Sequence, residues 1–379
     1  MAIYCMKDGG MPRQAHYHNG EFPPKELDWP EIIPLIGPAS ASLARYDGTL
    51  GAVPNASVLL TPLLTQEAVL SSRIEGTQAT IGEVLKFEAE SGSVEYPDDK
   101  RNDMEEILNY RNAMMLAESM LENLPLCQRV IKAAHAELLK GVRGQYRAPG
   151  EYRRVANWIG PPGCSRSEAR YVPISPDSLQ NAMDAWERYI HEDSPDQLVK
   201  LAIIHAEFEA LHPFLDGNGR LGRMLIPLFM EKSGLIRSPM FYISAYFERN
   251  RDEYYRRLML ISSSGDWSQW VIFFLNAVLD QARENQHKAE AILDLYANLK
   301  DIIHSIVRSQ FSIIALDFIF QRPIFRSTDF TQHSNIPSGS AYRLLKAMRA
   351  NEIIKELRPG SGRRAGIYWF PALLSITED

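Results

Sequence analysis

The sequence predicts a mainly α-helical protein with more than one domain. Long stretches repeat apolar residues at helical spacing, and strand signals are confined to two short regions, around 150–173 and after 353. The 379 residues are 45% hydrophobic, which allows two or three domains with sizeable cores. We therefore expect a helical bundle with an internal β-hairpin, an N-terminal helical extension, and a C-terminal helix-turn-helix followed by a second hairpin.

The N-terminal region, residues 1–100, is the helical extension. It opens with a proline-rich, poorly periodic stretch through about Pro38 and turns helical around Leu59–Glu90. Ser91-Gly-Ser and Tyr96-Pro-Asp-Asp then predict a break in the chain before the next helix.

The central region, residues 101–295, holds the predicted bundle. Long amphipathic helices are expected at Asp103–Asn123, Cys127–Leu139 and Pro176–His191, followed by a helix ending at Leu211 and another from Leu221 to Lys232. His135 and His205 lie on apolar helical faces, where a core histidine with satisfied hydrogen bonds is the expected interpretation.

Between those last two helices, residues 212–223 read His-Pro-Phe-Leu-Asp-Gly-Asn-Gly-Arg-Leu-Gly-Arg. His212 can take a proton at neutral pH, and Asp216 is a hard oxygen ligand suited to Mg²⁺. Gly217 and Gly219 let backbone N–H groups approach an anion at the N-terminus of the second helix. Arg220 and Arg223 lie three residues apart, on one helical face, and can fork onto phosphate oxygens. This pattern predicts a loop that binds phosphates.

The run resembles the signature of the Fic (filamentation induced by cAMP) family, His-Pro-Phe-x-[Asp/Glu]-Gly-Asn-Gly-Arg-x-x-Arg, at every defined position. The resemblance implies a Fic-type helical bundle with His212 as the catalytic base and Asp216 as the Mg²⁺ ligand. It implies that nucleotide phosphates are held by the loop and the two arginines. The residues concerned are Gly217, Asn218, Gly219, Arg220 and Arg223.

Residues 150–173 resemble the family's flap, a β-hairpin whose edge holds a target segment by strand addition. Gly160-Pro-Pro-Gly163 is the turn signal within it. By the same resemblance, Ile159 and Gly160 close the nucleoside pocket, and Tyr254 or Tyr255 touches the base.

Ser71-Ser-Arg-Ile-Glu-Gly76 resembles the family's inhibitory motif, [Ser/Thr]-x-x-x-Glu-[Gly/Asn]. The resemblance implies that Ser71, Glu75 and Gly76 form a brake, in which Glu75 pairs with Arg223 and keeps ATP out of a reactive pose. Because the motif precedes the core, the chain is similar to the class with an N-terminal inhibitory helix.

The C-terminal region, residues 297–379, resembles a winged helix-turn-helix domain. Short helices are expected at Ser327–His333 and Ser338–Arg349, followed by a hairpin through Arg358–Arg364. From Gln321 on, nine Lys and Arg face five Asp and Glu, a local charge of +4 in a chain of net charge −6. This local charge predicts DNA contacts, while protein contacts or dimerisation stay open. The residues concerned are Arg343, Lys346, Arg349, Arg363 and Arg364.

Taken together, the sequence predicts an ATP-dependent protein adenylyltransferase that transfers AMP to a Tyr, Thr or Ser hydroxyl, with Mg²⁺ as cofactor and Glu75 as inhibitor. Removal of AMP, or transfer of another nucleotide, stays open at the same site. A DNA-binding regulator with a Fic sensor domain is the alternative from another class.

Cys5, Cys127 and Cys164 are widely spaced, which favours free thiols over a zinc site. The start of the chain lacks the apolar core of a secretory signal. The longest apolar stretch, Trp270–Leu279, is too short to span a bilayer. We therefore expect a cytoplasmic protein with no membrane contact; homodimerisation stays open.

Overall fold

The structure is a computed structural model that describes residues 14–51, 59–90, 94–161, 163–361 and 364–378. It confirms the mainly α-helical fold class. The chain divides into two compact units, one of Met1–Asp47, Leu70–Gln78 and Glu105–Arg283, the other of Gly48–Val69, Ala79–Met104 and Glu284–Asp379. The division at 1–100, 101–295 and 297–379 stays a prediction.

In chain order the helices are α1 (Trp29–Gly51), α2 (Thr61–Ile74), α3 (Ile81–Glu90), α4 (Asp98–Leu121), α5 (Gln128–Leu138), α6 (Pro176–His191), α7 (Gln197–Leu211), α8 (Asn218–Lys232), α9 (Ser244–Arg249), α10 (Arg251–Ser264), α11 (Trp267–Val307), α12 (Ser312–Gln321), α13 (Ser327–His333), α14 (Ser338–Ala350) and α15 (Pro371–Glu378). The strands are β1 (Ala15–His16), β2 (Tyr171–Val172), β3 (Ile324–Arg326), β4 (Lys355–Arg358) and β5 (Ile367–Trp369). None of the helices in the described ranges has the length and apolar content needed to cross a membrane.

From Trp29 on, the proline-rich stretch is helical, so the expectation of an irregular segment through about Pro38 was wrong for its last part. α1 runs through Pro34 and Pro38, each of which removes a backbone donor. Its apolar face compensates, since Ile32, Leu43 and Tyr46 are at most 1% exposed. Burial of this face outweighs the helix-breaking tendency of the prolines.

The helical region expected at Leu59–Glu90 is divided into α2 and α3. Gly76 lies in the turn that follows α2, with φ at +106°, a value that favours glycine over residues with a Cβ. The N–H of Gly76 donates to the carbonyl of Arg73 at 2.9 Å. Glu75 therefore projects from the last turn at the C-terminal end of α2.

In the first unit, α7 is the central helix. Thirteen of its residues are buried, so it has no polar face, and it packs against α6 and α8. Trp186 donates its indole N–H to the carbonyl of Ile204, and Trp270 donates to that of Ala202. These hydrogen bonds attach neighbouring helices to the helix that carries His212 at its end.

The hairpin expected at residues 150–173 is shorter than its sequence suggested. Among its described residues, the two legs meet at one antiparallel bridge, between Ile159 and Tyr171. On its other side β2 pairs in parallel with β1, a strand that the sequence did not predict. Val155 lies before the bridge and is 59% exposed.

The second unit contains a three-stranded antiparallel sheet in the order β3-β5-β4. α12 precedes β3, and α13 and α14 lie between β3 and the β4–β5 hairpin, so the elements expected after residue 297 occur in the expected order. Phe325 and Phe330 pack beside Phe318 to form an aromatic core. The winged-helix assignment itself stays a prediction.

Candidate active site

The loop of residues 212–223 joins α7 to α8 through two left-handed residues. His212 ends α7 with φ at +47°, and Gly217 precedes α8 with φ at +75°. At Gly217 a Cβ would lie 3.2 Å from a methyl group of Leu138, a tight contact that adds to the preference for glycine set by the positive φ. The backbone N–H groups of the first turn of α8 have no earlier helical carbonyl to bind, which is the arrangement that suits an anion.

Asn218 and His135 hold the loop in shape. The Asn218 amide accepts from the Phe214 N–H at 2.8 Å and donates to the Phe214 carbonyl at 2.9 Å. Because the side chain of Asn218 is used in this way, its backbone N–H is the group left for a phosphate. His135 stacks on Phe214, accepts from the Gly150 N–H and donates to the Asp216 carbonyl at 3.0 Å. His135 is the hydrogen-bonded core histidine that the sequence predicted.

His205 is also a core residue with both ring nitrogens engaged. Its Nδ1 bonds to the Gly222 carbonyl at 3.0 Å, and its Nε2 pairs with the Tyr254 hydroxyl at 2.9 Å. Donation from Nδ1 to the carbonyl leaves Nε2 to accept from the tyrosine, which defines the neutral tautomer.

His212 is a neutral imidazole at physiological pH. Burial is the main cause that lowers its pKa to about 4, and the neighbouring charge of Arg153 lowers it further. Glu75 and Asp216 act in the opposite direction without outweighing burial. A neutral ring has a lone pair available, as a general base requires.

Asp216 is suited to bind Mg²⁺ together with substrate phosphates. Its side chain is 41% exposed, and its Oδ1 accepts from the Gly217 N–H at 2.7 Å. Mg²⁺ in such sites takes one or two carboxylates and leaves its other positions to water and phosphate oxygens. Asp216 as a Mg²⁺ ligand therefore stays a prediction.

Arg220 is held by a carboxylate that the sequence did not point to. Its Nη1 donates to Glu106 Oε2 at 3.0 Å, and both side chains are at most 8% exposed. Glu106, from α4, also accepts from Arg143 at 2.9 Å. The guanidinium of Arg220 is therefore fixed in orientation before any substrate binds.

Arg223 is fully buried and bound to Ser71 and Glu75 at three points. Its Nη2 donates to Glu75 Oε1 at 2.8 Å and to the Ser71 carbonyl at 2.8 Å, while its Nε donates to the Ser71 hydroxyl at 2.9 Å. Burial would raise the pKa of Glu75, but Arg223 outweighs that effect and the pKa is lowered. Glu75 is thus an ionised partner of Arg223 at neutral pH.

Two glycines of α8 admit the carboxylates around Arg223. A Cβ on Gly219 would lie 2.2 Å from Glu75 Oε1, and a Cβ on Gly222 would lie 2.2 Å from Glu209 Oε1. Burial raises the pKa of Glu209 to about 7, although Arg223 acts to lower it. Arg223 therefore has a second acidic neighbour, which is partly protonated at neutral pH.

The predicted nucleoside contacts divide into exposed and buried residues. Tyr254 is 0% exposed and lies in an aromatic cluster with Phe247, so it is less well placed than Tyr255 to touch a base. Tyr255 and Ile159 are partly exposed and remain predicted contacts. Gly160 is buried, and a Cβ there would lie 2.7 Å from the Cys164 sulfur, so this glycine allows the flap to close on itself.

The basic residues predicted to contact DNA lie on α14 and the following hairpin. Arg343, Lys346 and Arg349 are exposed on one face of α14. Arg349 pairs with Glu356 at 2.8 Å, so its charge is partly compensated. Arg364 is exposed, and Arg363 lies outside the described residues.

Glu106, Arg153 and Glu209 are site residues that sequence reasoning missed. Glu106 is 114 residues away from Arg220 in the chain, so no local pattern could relate the two. The other two could have been found from the sequence. Arg153 is a charged residue within the flap, and Glu209 is a charged residue three positions before His212. Cys127 and Cys164 are free thiols, as expected, and Cys5 lies outside the described residues.

Two family models match the chain. Residues 33–119 match the Fic/DOC family N-terminal model, and residues 125–230 match the Fic/DOC family model. The protein adenylyltransferase Fic of Drosophila grimshawi is 26% identical over 199 residues, which are 51% of this chain and 34% of that protein. The Drosophila ananassae protein of the same name is 27% identical over 199 residues, with 51% and 33% covered. The chain thus spans about a third of the length of these relatives.

Solved structures share the fold. A Fic family protein from Desulfovibrio desulfuricans G20 superposes with a TM-score of 0.58 at 21% identity, covering 92% of this chain and 98% of that one. A fragment of Fic-1 from C. elegans gives 0.52 at 18% identity, covering 68% and 73%. The two family models together span more than half of the residues, and the signature loop, the bundle and these neighbours agree with them: the chain belongs to the Fic/DOC family.

Proposed function

We propose that the protein is an ATP-dependent adenylyltransferase that moves AMP onto a Tyr, Thr or Ser hydroxyl of a target protein. The observation that carries this proposal is the geometry of residues 212–223. A neutral His212 stands at the end of one helix, and an anion-binding turn with two buried arginines opens the next. The adenylyltransferase names of the Drosophila relatives support the same activity.

In this proposal, His212 takes the proton of the target hydroxyl as its oxygen attacks the α-phosphate. The bond between the α- and β-phosphates breaks, and pyrophosphate leaves. The N–H groups of Gly217–Gly219 bind phosphate oxygens, and Arg220 and Arg223 neutralise the charge that develops on pyrophosphate. Mg²⁺ held by Asp216 would add positive charge at the α- and β-phosphates. Positioning and electrostatic stabilisation are the main demands of this chemistry.

We propose further that Glu75 holds the enzyme in an inhibited state. Its bond to Arg223 occupies a donor that the γ-phosphate would use, and its negative charge repels that phosphate. Because Arg223 also binds Ser71 twice, the end of α2 is attached by several contacts, not by one ion pair. ATP would then bind mostly in an orientation that is not in line for transfer.

The target would bind along the flap, where the segment around Val155 is exposed before the Ile159 bridge. Strand addition uses backbone hydrogen bonds and so accepts many sequences, which fits a protein substrate. A cytoplasmic location is part of the same proposal.

The test uses the Glu75→Gly variant with ATP labelled on either the α- or the γ-phosphate. Label should appear on protein, the enzyme itself or a lysate protein, from the α-position only. Transfer from the γ-position would identify a kinase, and preference for UTP or GTP would identify another nucleotidyltransferase. The same variant carrying His212→Ala is the control. Loss of label from pre-adenylylated protein, without transfer, would favour AMP removal.

A second function, DNA binding by the C-terminal residues, is favoured by one observation. Arg343 and Lys346 are exposed on the same face of α14, ahead of the β4–β5 hairpin. A free basic helix face beside a hairpin is the arrangement that enters a DNA groove in winged domains. A mobility-shift titration at low salt tests this role independently of transfer.

A further inference from the structure

Arg153 connects the flap to the backbone on both sides of His212. Its Nε donates to the His212 carbonyl at 2.9 Å, and its Nη2 donates to the Leu211 carbonyl at 3.3 Å. Its backbone N–H donates to the Pro213 carbonyl at 2.9 Å. One residue thus binds three consecutive carbonyls of the loop, and its Nη2 also binds the Ile174 carbonyl at the end of the flap.

This arginine is an unusual core residue because its charge has no acidic partner. Arg153 is 3% exposed, and within the described ranges no carboxylate forms an ion pair with it. Its Nη1 is buried without a hydrogen-bond partner there. A buried, unpaired cation costs free energy, and burial accordingly lowers the pKa of Arg153 to about 10. A residue selected for stability alone would not need this charge.

The backbone that Arg153 binds is itself strained. His212 has φ at +47°, a left-handed conformation that residues with a Cβ adopt only when their surroundings hold them there. The carbonyls of Leu211 and His212 belong to the end of α7, where no further helical N–H is available to them. Arg153 supplies those missing donors, and so fixes the direction in which the imidazole leaves the backbone.

We propose that Arg153 is the positioning residue of the catalytic base: it holds the carbonyls of Leu211, His212 and Pro213 so that the imidazole faces the nucleotide. This inference rests on the proposed role of His212. In this proposal Arg153 acts through the backbone around His212 and does not contact the substrate.

The charge of Arg153 makes a second contribution that can be measured separately. The charged groups that face His212 are Arg153, Glu75 and Asp216, with the Glu209 carbonyl as a further neighbour. After burial, Arg153 is the main cause that lowers the pKa of His212, while the two carboxylates and the carbonyl raise it. Removing the charge should therefore raise that pKa, whereas a purely structural role would leave it unchanged.

The experiment compares Arg153→Gln, Arg153→Lys and the control Arg147→Gln, all in the Glu75→Gly background. Arg147 is an exposed arginine just before the flap. Single-turnover transfer is measured against pH, and the ring of His212 is titrated by nitrogen NMR, with His212→Ala used for assignment. Thermal unfolding and ATP affinity are measured for every variant.

For Arg153→Gln we expect the plateau rate to fall about 10- to 100-fold, since small misplacements of a catalytic group have this effect. The titration of His212 should move to higher pH by roughly half a unit or more. Arg153→Lys keeps the charge without the planar fork, so the titration should stay in place while the plateau falls. Arg147→Gln should change neither quantity.

The inference is overturned if Arg153→Gln matches Arg147→Gln in both plateau rate and His212 titration. If Arg153→Gln does not fold, Arg153→Lys decides: a folded lysine variant with an unchanged plateau also overturns it. Failure of the proposed function looks different. In that case His212→Ala would retain transfer, whatever the arginine variants did.

Discussion

The charged residues of the signature loop and those of α14 are arranged in opposite ways. Arg220 and Arg223 are at most 5% exposed, and each is bound to a carboxylate at 2.8–3.0 Å. Arg343 and Lys346 are exposed on a helix surface. In the loop, charges are fixed in direction before a substrate arrives, as transition-state stabilisation requires. On α14 the two side chains are exposed to solvent and not fixed by a carboxylate in the described residues, which suits a polyanion bound through its charge and not through fixed geometry.

The largest expected effect comes from the base. His212→Ala in the Glu75→Gly background should lower transfer by about 10²- to 10⁴-fold, because removal of a general base has this cost. ATP affinity should hardly change, since the phosphate-binding turn is intact. Quench-flow rates and calorimetric ATP binding measure the two quantities. Near-normal transfer would show that the reaction does not use His212 as a base.

Release of Arg223 should have the next largest effect, in the direction of activation. Glu75→Gly removes one charge-assisted hydrogen bond to a buried arginine, an interaction worth about 1.5–3 kcal/mol, so transfer should rise about 10- to 100-fold. Ser71→Ala removes a neutral acceptor from the same arginine and should activate less.

Initial rates of labelled AMP transfer measure this series, with Glu83→Gln as a control because Glu83 pairs with Lys100 instead. Arg223→Ala should not activate, as it removes a phosphate ligand together with the brake. Equal rates for wild type and Glu75→Gly, in an assay that still depends on His212, would contradict the proposed brake.

A smaller effect concerns pH. Burial lowers the pKa of His205 to about 3, below the ordinary value of 6.5. Between pH 3 and pH 6.5 the unfolded chain binds more protons at His205 than the folded chain does. The contribution of His205 to the free energy of unfolding is therefore fully present above about pH 6.5 and declines as the pH falls. His205→Gln should therefore lower the Tm more at pH 7.5 than at pH 5.

Differential scanning calorimetry of both proteins at the two pH values measures that difference. The comparison is made between variants because Glu209 has the opposite effect on stability. Its pKa is raised to about 7, so the folded state takes up a proton there as the pH falls, and this raises the free energy of unfolding. The exposed His333 offers a matched control, His333→Gln. A Tm difference for His205→Gln that grows at low pH would contradict the sign.

The smallest effects should come from the exposed charges of α14. If they bind DNA, Arg343→Glu or Lys346→Glu should weaken binding and flatten its salt dependence, by a slope of about 1 for each phosphate that is no longer neutralised. Arg349→Glu should matter less, since Glu356 already compensates Arg349. Mobility shifts with a random duplex over a salt series measure both. Absence of binding by the wild type at low salt would leave α14 to protein contacts.

Local signals predicted much of the fold and the centre of the site. The bounds of the helices at Pro176–His191 and Ser327–His333 agree with their sequence-based ranges. Pro176 occupies the first position of its helix, where its fixed φ is favourable, whereas the N-cap of the other helix is Arg326 and not Ser327. The anion-binding turn followed from Gly217 and Gly219, whose backbone freedom is a property of the residue itself. Such features depend on neighbours within a few positions.

What the sequence did not predict depends on distant contacts. α1 passes through two prolines because of the side chains its apolar face buries, which propensity cannot anticipate. Of the two tyrosines expected near a base, Tyr254 is buried beside Phe247, and no local pattern indicated that. The bond from Glu106 to Arg220 joins residues from two helices that no spacing rule relates.

If Glu75 inhibits the enzyme as proposed, its place above Gly219 makes that inhibition a competition between ATP and a ligand tethered to the protein. The carboxylate is present at an effective concentration set by α2, and no dilution of the protein changes it. Coupling between two such occupants is reciprocal. Whatever withdraws the end of α2 strengthens productive ATP binding, and ATP bound productively must loosen residues 71–76 by the same free energy. Hydrogen exchange at the amides of residues 71–76 should therefore become faster when ATP binds productively, and so would report the occupancy of the nucleotide site.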